Sequence, residues 1–317
     1  MAQRIIRIVP YGRMANQMFQ LMVAERLRLA IKDAKVVGHS LPEWNLVSGP
    51  LPKENSLSLS VQSHAMPIKQ IIDFANSVDY LDIKINSVNL RYAFFGALLD
   101  AYRTLFRDPD KERHNQGGGP DNIVISVRLG DALSKVHPHY FPLPLSWYDD
   151  LVRITGLTPI FVGEFGEDYY SDALRRRFPR ARFIGSADPM ADFAFIRNSV
   201  HIVPSVGTFS WLASWLSETA KTIYLPVAGL FNQGARPDVD LLPLDDGRYR
   251  FFETAMQRWN ATPAQIDHII NRQHDFRLIS AAELRTAYAP HIGSDGTAVR
   301  RIPGRDWPRT GGKKVSP

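Results

Sequence analysis

The feature that most restricts this chain is an alternation between residues 121 and 227. A short run rich in Val and Ile gives way to a turn and then to a helix-length stretch, several times over. Asn122–Val127 is an apolar run suited to a strand buried on both faces. Ser146–Ile154 reads as a helix, with Ser146 placed to cap it. Thr158–Val162 is the next strand, Tyr169–Phe178 a helix stopped by Pro179, Arg182–Ile184 a short strand, and Pro189–Asn198 a helix. Val200–Val203, Thr208–Ser217 and Thr222–Leu225 then read as strand, helix and strand. A helix between successive strands returns the chain to the same end of the sheet, so the strands run parallel and helices cover both faces. The rhythm predicts an α/β fold with a doubly wound sheet, which takes its ligands beyond the carboxyl ends of the strands.

The first third of the chain opens in the same way. Arg4–Val9 reads as a strand, Pro10-Tyr11-Gly12-Arg13 as a turn, and Asn16–Ala34 as a helix with Phe19, Met22, Leu27 and Ala30 or Ile31 near one face. Val36-Val37-Gly38 and the alternating Leu57, Leu59 and Val61 are strand candidates. Ile68–Ala75 reads as a short helix, Tyr80–Leu90 alternates weakly, and Phe94–Phe106 reads as a helix. From Asp108 to Asp121 the chain is polar and then reaches Gly117-Gly118-Gly119-Pro120, a strong break with no core-forming face. The expected organisation is an N-terminal α/β domain at 1–120, a second α/β domain at 121–290, and a basic tail at 291–317. A length of 317 residues suits two domains, at roughly 150 residues each.

Composition removes several function classes. Cysteine is absent, which excludes a disulfide framework, a Cys-ligated zinc site and thiol catalysis, and fits a reducing compartment. No apolar run reaches the roughly 18 residues of a membrane span, and the charged start does not read as a signal peptide. A cytoplasmic protein, peripheral at most on an inner membrane, is the expectation. The formal charge is +6, of which +4 falls from His291 onward. The basic character thus belongs mainly to the tail, and no nucleic-acid partner is expected. The tail is rich in Gly and Pro and reads as flexible, with contact to an anionic membrane face as the alternative.

Three clusters have the residue types of a ligand site. The first is Gly12-Arg13-Met14-Ala15-Asn16-Gln17-Met18-Phe19-Gln20, where a glycine turn after a strand leads into a helix N-terminus that can face an anion. Its plainer reading is N-capping by Asn16. The second is Ser126-Val127-Arg128-Leu129-Gly130-Asp131, at the carboxyl end of a strand, where Arg128 can fork two donors onto a phosphate and Asp131 can orient it or meet a substrate hydroxyl. Its plainer reading is a structural Arg–Asp pair. The third runs from Pro204 to Leu216, a small-residue loop entering a helix that carries Thr208, Phe209 and Ser210. Trp211, Leu212 and Trp215 there read as core, and the hydroxyls read first as caps. Asp188 and Asp192 flank a helix start, and Glu164 follows a strand where it can face a cleft. His137 and His139 lack a carboxylate at metal-ligand spacing, so no metal is expected. Arg175-Arg176-Arg177 reads as a solvated helix face. The Gly-x-Gly-x-x-Gly fingerprint, the Gly-x-Ser-x-Gly elbow and the P-loop lysine motif are all missing.

In order and spacing these clusters resemble the inverting fucosyltransferases, above all the α1,2-fucosyltransferase family, with α1,6- and protein O-fucosyltransferases as relatives. That family opens with Gly-Gly-x-Gly-Asn-Gln-Met-Phe-Gln, matched by Asn16 to Gln20. Its His-x-Arg-Arg-Gly-Asp is matched by Arg128, Gly130 and Asp131, and its Asn-Ser-Ser-Phe-Ser-Trp-Trp-Ala-Ala-Trp-Leu by Phe209-Ser210-Trp211, Ala213, Trp215 and Leu216. Pro142-Leu143-Pro144 with Trp147-Tyr148 resembles its Leu-Pro-x-x-Tyr-Tyr region. The resemblance spans roughly residues 5–230. The chain departs from it at Ala15 for Gly, Ser126 for His and Leu129 for the second Arg.

The resemblance implies a GT-B-like architecture, two Rossmann-like domains facing a cleft, and transfer of fucose from GDP-fucose to a glycan hydroxyl with inversion and without metal or cofactor. It places the acceptor on the N-terminal half and the nucleotide on the C-terminal half. It implies that Arg128 holds the β-phosphate, that Asp192 reads the guanine edge, and that Thr208, Phe209 and Ser210 cradle phosphate and base. Ser126 stands at the position that holds the nucleotide, and Gly12 and Asn16 close the sugar side. Asp131 and Glu164 are the candidates for the base. A transferase using another nucleotide sugar, and a non-enzymatic carbohydrate-binding protein, are the alternatives.

Overall fold

Isoleucines at 5, 6 and 8 fill β1 (Arg4–Ile8), which is buried along most of its length. The computed structural model describes residues 4–288 apart from 54–56, 62–67, 79–80, 113, 134–136, 187, 255–257 and 274–275, so the basic tail lies outside the described residues. After β1 come α1 (Met14–Arg28), β2 (Ala34–Val37) and a small hairpin of β3 (Ser40–Leu41) and β4 (Leu46–Val47). Then follow β5 (Leu57–Val61), α2 (Ile68–Ser77) and β6 (Leu81–Ile85). The larger strands form a four-stranded parallel sheet in the order β2-β1-β6-β5.

Two expectations shift at the helix ends. The helix expected to run to Ala34 stops at Arg28, because Ala30 and Ile31 fold back to donate to Leu27 and turn the chain into β2. The helix expected from Phe94 begins only at α3 (Leu99–Leu105). Before it the chain makes short 3-10 turns that lay Tyr92 and Phe95 edge-on against Trp215, at 6.2 and 5.4 Å. The Asp108–Asp121 break is docked rather than loose. Asn198 Nδ2 donates to the His114 carbonyl at 2.8 Å, and Gly118 N donates to Ser199 Oγ at 2.8 Å. A Cβ on Gly117 would stand 2.4 Å from the Asn198 carbonyl oxygen, so the close approach requires glycine.

The remainder builds a seven-stranded sheet. In order come β7 (Asn122–Val127), α4 (Gly130–Leu133), α5 (Leu145–Thr155), β8 (Thr158–Gly163), α6 (Tyr169–Arg177), β9 (Arg182–Gly185), α7 (Pro189–Arg197) and β10 (His201–Val203). Then follow α8 (Thr208–Trp215), β11 (Thr222–Val227), β12 (Tyr249–Thr254), α9 (Pro263–Asn271), β13 (Phe276–Ile279) and α10 (Ala281–Tyr288). Spatial order is β13-β12-β11-β10-β7-β8-β9, with every pair parallel except β12 with β13. Ser146 does not cap α5: the helix starts one residue earlier, after Pro144, and Ser146 is buried.

The molecule is thus α/β, with helices packed on parallel sheets. The buried side chains of both sheets form one contiguous core. At its centre Trp211 lies 5.6 Å from Phe19, 6.0 Å from Phe95 and 5.6 Å from Trp215, so rings from both sheets' helices share one layer. Trp44 adds a second bridge, edge-on to Phe106 at 5.6 Å and Phe193 at 5.3 Å. No helix among the described residues is long and apolar enough to cross a membrane.

Candidate functional site

The strand order locates the site. From β7 the chain moves outward through β8 and β9, then returns to β10 beside β7 and moves outward the other way. The loops leaving β7 and β10 therefore diverge, and a crevice opens between them. Arg128 leaves β7, and Ser205 to Gly207 leave β10. A Cβ on Gly207 would stand 3.1 Å from Arg128 Nη1, so the missing side chain is the space in which the guanidinium lies. Gly207 has φ −177, extended backbone open to any residue, so the requirement there is one of room. On the other side Arg128 Cζ rests 4.7 Å from the centroid of the Tyr140 ring, which orients its fork by cation–π attraction.

The four-stranded sheet repeats the device between β1 and β6. Gly12 after β1 has φ +76, the left-handed region that suits glycine, and a Cβ there would lie 2.4 Å from Asn16 Nδ2. The buried Gln20 pins this loop: its Nε2 donates to the Val9 carbonyl at 2.9 Å and its Oε1 accepts from Tyr11 N at 3.0 Å. Gln17 Nε2 donates to the Gly12 carbonyl at 3.0 Å. Asn16 does not cap α1, whose N-cap is Arg13. Its Oδ1 accepts from Thr208 Oγ1 at 3.1 Å. The first and third sequence clusters thus touch directly.

The serines lie deeper than expected. Ser205 N donates to Ser210 Oγ at 3.0 Å, the two hydroxyls are 2.9 Å apart, and Ser126 Oγ donates to Ser205 Oγ at 3.5 Å. Ser126 and Ser210 are both buried, so their hydroxyls hold the loop after β10 rather than line the crevice. Phe209 is half-buried, edge-on to Phe193 at 5.4 Å. Gly207 precedes α8, and among the described residues no side chain caps this helix N-terminus. Trp211, Leu212 and Trp215 are fully buried.

Three carboxylates were expected at the site. Asp192, on the first turn of α7, is only 7% exposed. Burial raises its pKa, a hydrogen bond from Ser186 opposes this, and the charges of Asp188 and Glu164 raise it further. Glu164 follows β8, and its Oε2 would stand 2.5 Å from a Cβ on Gly130. Its Oε1 lies 3.7 Å from Arg13 Nη1, but both side chains are well exposed, so water screens this pair. Asp131 belongs to α4, and its side chain lies outside the described residues. Asp188 caps α7, accepting from Met190 N at 2.9 Å. The arginines at 175 to 177 are exposed, as their sequence suggested, with Arg177 paired to Asp149.

Sequence reasoning missed Tyr140 and Arg236 and gave His137 no partner. Burial, then Arg236, His139 and Arg128, push the His137 imidazole down to about 4, so it is neutral near pH 7. The only signal available was that Tyr140 lies a dozen residues past Arg128 on the same connection. Among the described residues no group of three or more His, Asp or Glu could hold a metal ion. An open hollow of about 510 Å³ between β12 and α10 contains none of these residues. No protein-family model matches this chain, and no curated protein matches it.

Proposed function

We propose that this chain is a fucosyltransferase-like enzyme of GT-B arrangement, acting in the cytoplasm, that transfers fucose from GDP-fucose to a glycan hydroxyl with inversion. The observation that carries the reading is the meeting of Arg128, Gly207 and the Asn16–Thr208 pair at the carboxyl ends of both sheets. The bond from fucose C1 to the β-phosphate oxygen breaks, and a bond from the acceptor oxygen to C1 forms on the opposite face. The acceptor proton passes to a base, and GDP leaves with the electron pair. Negative charge grows on the leaving diphosphate, where the Arg128 guanidinium stabilises it more in the transition state than in the ground state. The open N-terminus of α8 favours the same charge. Asp192 accepts from the guanine edge, whose N–H donors can meet an ionised carboxylate, and Phe209 borders the base. Gly12 and Asn16 close the sugar side. Of the two candidate bases, Glu164 is the one with described geometry, exposed at the mouth of the crevice. Ser126 and Ser210 act by positioning the loop. The reading requires no metal.

The experiment is calorimetry with GDP, GDP-fucose, UDP and UDP-sugars, without and with divalent cation, on the wild type and Arg128→Ala. Binding of GDP in preference to UDP without metal, weakened about tenfold or more in Arg128→Ala, supports the proposal. Preference for UDP overturns the donor. Equal GDP affinity in the variant overturns the phosphate role.

A further inference from the structure

Arg128 is not the only guanidinium at this place. Arg236 sits on the loop after β11, next to β10 in the sheet. That loop is tightly held: Asn232 Oδ1 accepts from Gly234 N at 2.8 Å and Ala235 N at 3.1 Å, and Arg236 N donates to the Asn232 carbonyl at 2.8 Å. The Arg236 side chain is 17% exposed. Its Nε and Nη2 fork onto Asp238 at 2.8 and 2.7 Å, while Nη1 has no partner among the described residues. Arg128 lies over the Tyr140 ring, and the His137 ring meets the same Tyr140 edge-on at 4.8 Å. The charges of Arg236 and Arg128 both act on His137, opposed by that of Asp238. The loop that carries Arg236 is also bonded to this stretch, Leu230 N donating to the His139 carbonyl at 3.0 Å, so the two arginines stand on loops that both pack against the 137–140 segment.

His137 completes the arrangement. Its Nδ1 accepts from His139 N at 3.2 Å, which leaves the proton of the neutral ring on Nε2. A neutral N–H donor on a segment that meets both arginine-bearing loops suits a ligand with several anionic oxygens on adjacent centres. A single phosphate offers one centre; a diphosphate offers two. Leu129, where the resemblance expects a second arginine, is 1% exposed and belongs to the core, so it cannot supply that charge.

We propose that Arg236 is the second guanidinium of a diphosphate site, holding one phosphoryl group while Arg128 holds the other, with His137 Nε2–H donating between them. This rests on the donor reading above, and the test separates the two. Calorimetry is run with pyrophosphate, GDP, UDP and GMP on the wild type, Arg236→Gln and Arg128→Ala, with thermal unfolding to verify the fold. Arg236→Gln is expected to weaken pyrophosphate and GDP about tenfold or more and GMP less than threefold, as loss of a charge-assisted contact to one phosphoryl group requires. Arg236→Lys keeps the charge without the fork and is expected to recover part of the loss; it also decides the matter if the Gln variant does not fold. Diphosphate binding that needs both arginines, with UDP bound as tightly as GDP, supports this site and removes the guanine-specific donor. GDP binding that needs Arg128 but not Arg236 leaves the donor and overturns the second guanidinium. Equal losses for GDP and GMP overturn it too, since a merely structural arginine would not discriminate between them. A wild type that binds neither pyrophosphate nor GDP overturns both.

Discussion

Gly207→Ala separates stability from function at the site. Its backbone, at φ −177, accepts alanine without strain, and the variant narrows the unfolded ensemble, worth about 0.4–1 kcal/mol of stabilisation. The new Cβ would stand 3.1 Å from Arg128 Nη1 and 3.6 Å from its Cδ, where ordinary contact begins near 3.4 Å. The side-chain end must therefore give way by a few tenths of an ångström. A hydrogen bond to a charged group is worth about 1.5–3 kcal/mol, so a shift that weakens one by about half corresponds to about four- to tenfold in affinity. Calorimetry with GDP and thermal unfolding, run side by side, are the assays. The expected result is an unchanged or slightly raised Tm with GDP affinity down by that factor. Unchanged affinity would refute the claim that Arg128 must lie in the space above Gly207. A stability loss above about 1 kcal/mol would refute the claim that this glycine serves room alone.

Other outcomes follow from the same geometry. Trp211→Phe removes one ring of a fully buried indole and its hydrogen bond to the Leu241 carbonyl at 2.8 Å, so urea unfolding is expected to show a loss of about 2–3 kcal/mol; a loss under about 0.5 kcal/mol contradicts the packing described. Asp192 has a folded pKa raised above its unfolded 3.8, so its ionised form opposes folding above that range and the penalty vanishes below it. Asp192→Asn is expected to raise Tm at pH 7 but not below about pH 3.5, while weakening GDP; a lower Tm at pH 7 overturns the assignment. His137 is the reverse case of a depressed base, with a folded value of about 4 against 6.5 unfolded, so stability falls as pH drops from 6.5 to 4. His137→Gln is expected to flatten the Tm profile across that window, and an unaltered slope would show that the ring already titrates normally.

The second sheet was legible because fully buried parallel strands must be apolar on both faces, which makes Asn122–Val127 conspicuous. β12 and β13 were not read, since Tyr249–Thr254 mixes aromatic with charged residues beside an antiparallel edge strand. Arg128 and Asn16 were legible because each follows a strand that the pattern already located. Their partners were not. Thr208 meets Asn16 across 192 residues, and the charge of Arg236 acts on His137 from another strand's loop. Periodicity encodes which face of an element is buried, whereas contacts between loops depend on the strand order, which the pattern leaves open. The serines misled for a related reason: a hydroxyl at a helix start reads alike whether it faces a ligand or, as at Ser210, folds back onto its own loop.

The ring layer that joins Phe19 and Phe95 to Trp211 and Trp215 bears on how such a molecule can move. A close-packed aromatic seam between α1 and α8 resists separation, since parting it would wet several large rings at once. It tolerates small sliding far better than wide opening, which makes shear the cheaper motion. Above it, Tyr11 and Arg13 are exposed on the loop after β1 that Gln20 anchors. Exposed side chains such as these re-orient in picoseconds to nanoseconds, so the slow coordinate of such a molecule is shear of the packed floor beneath them.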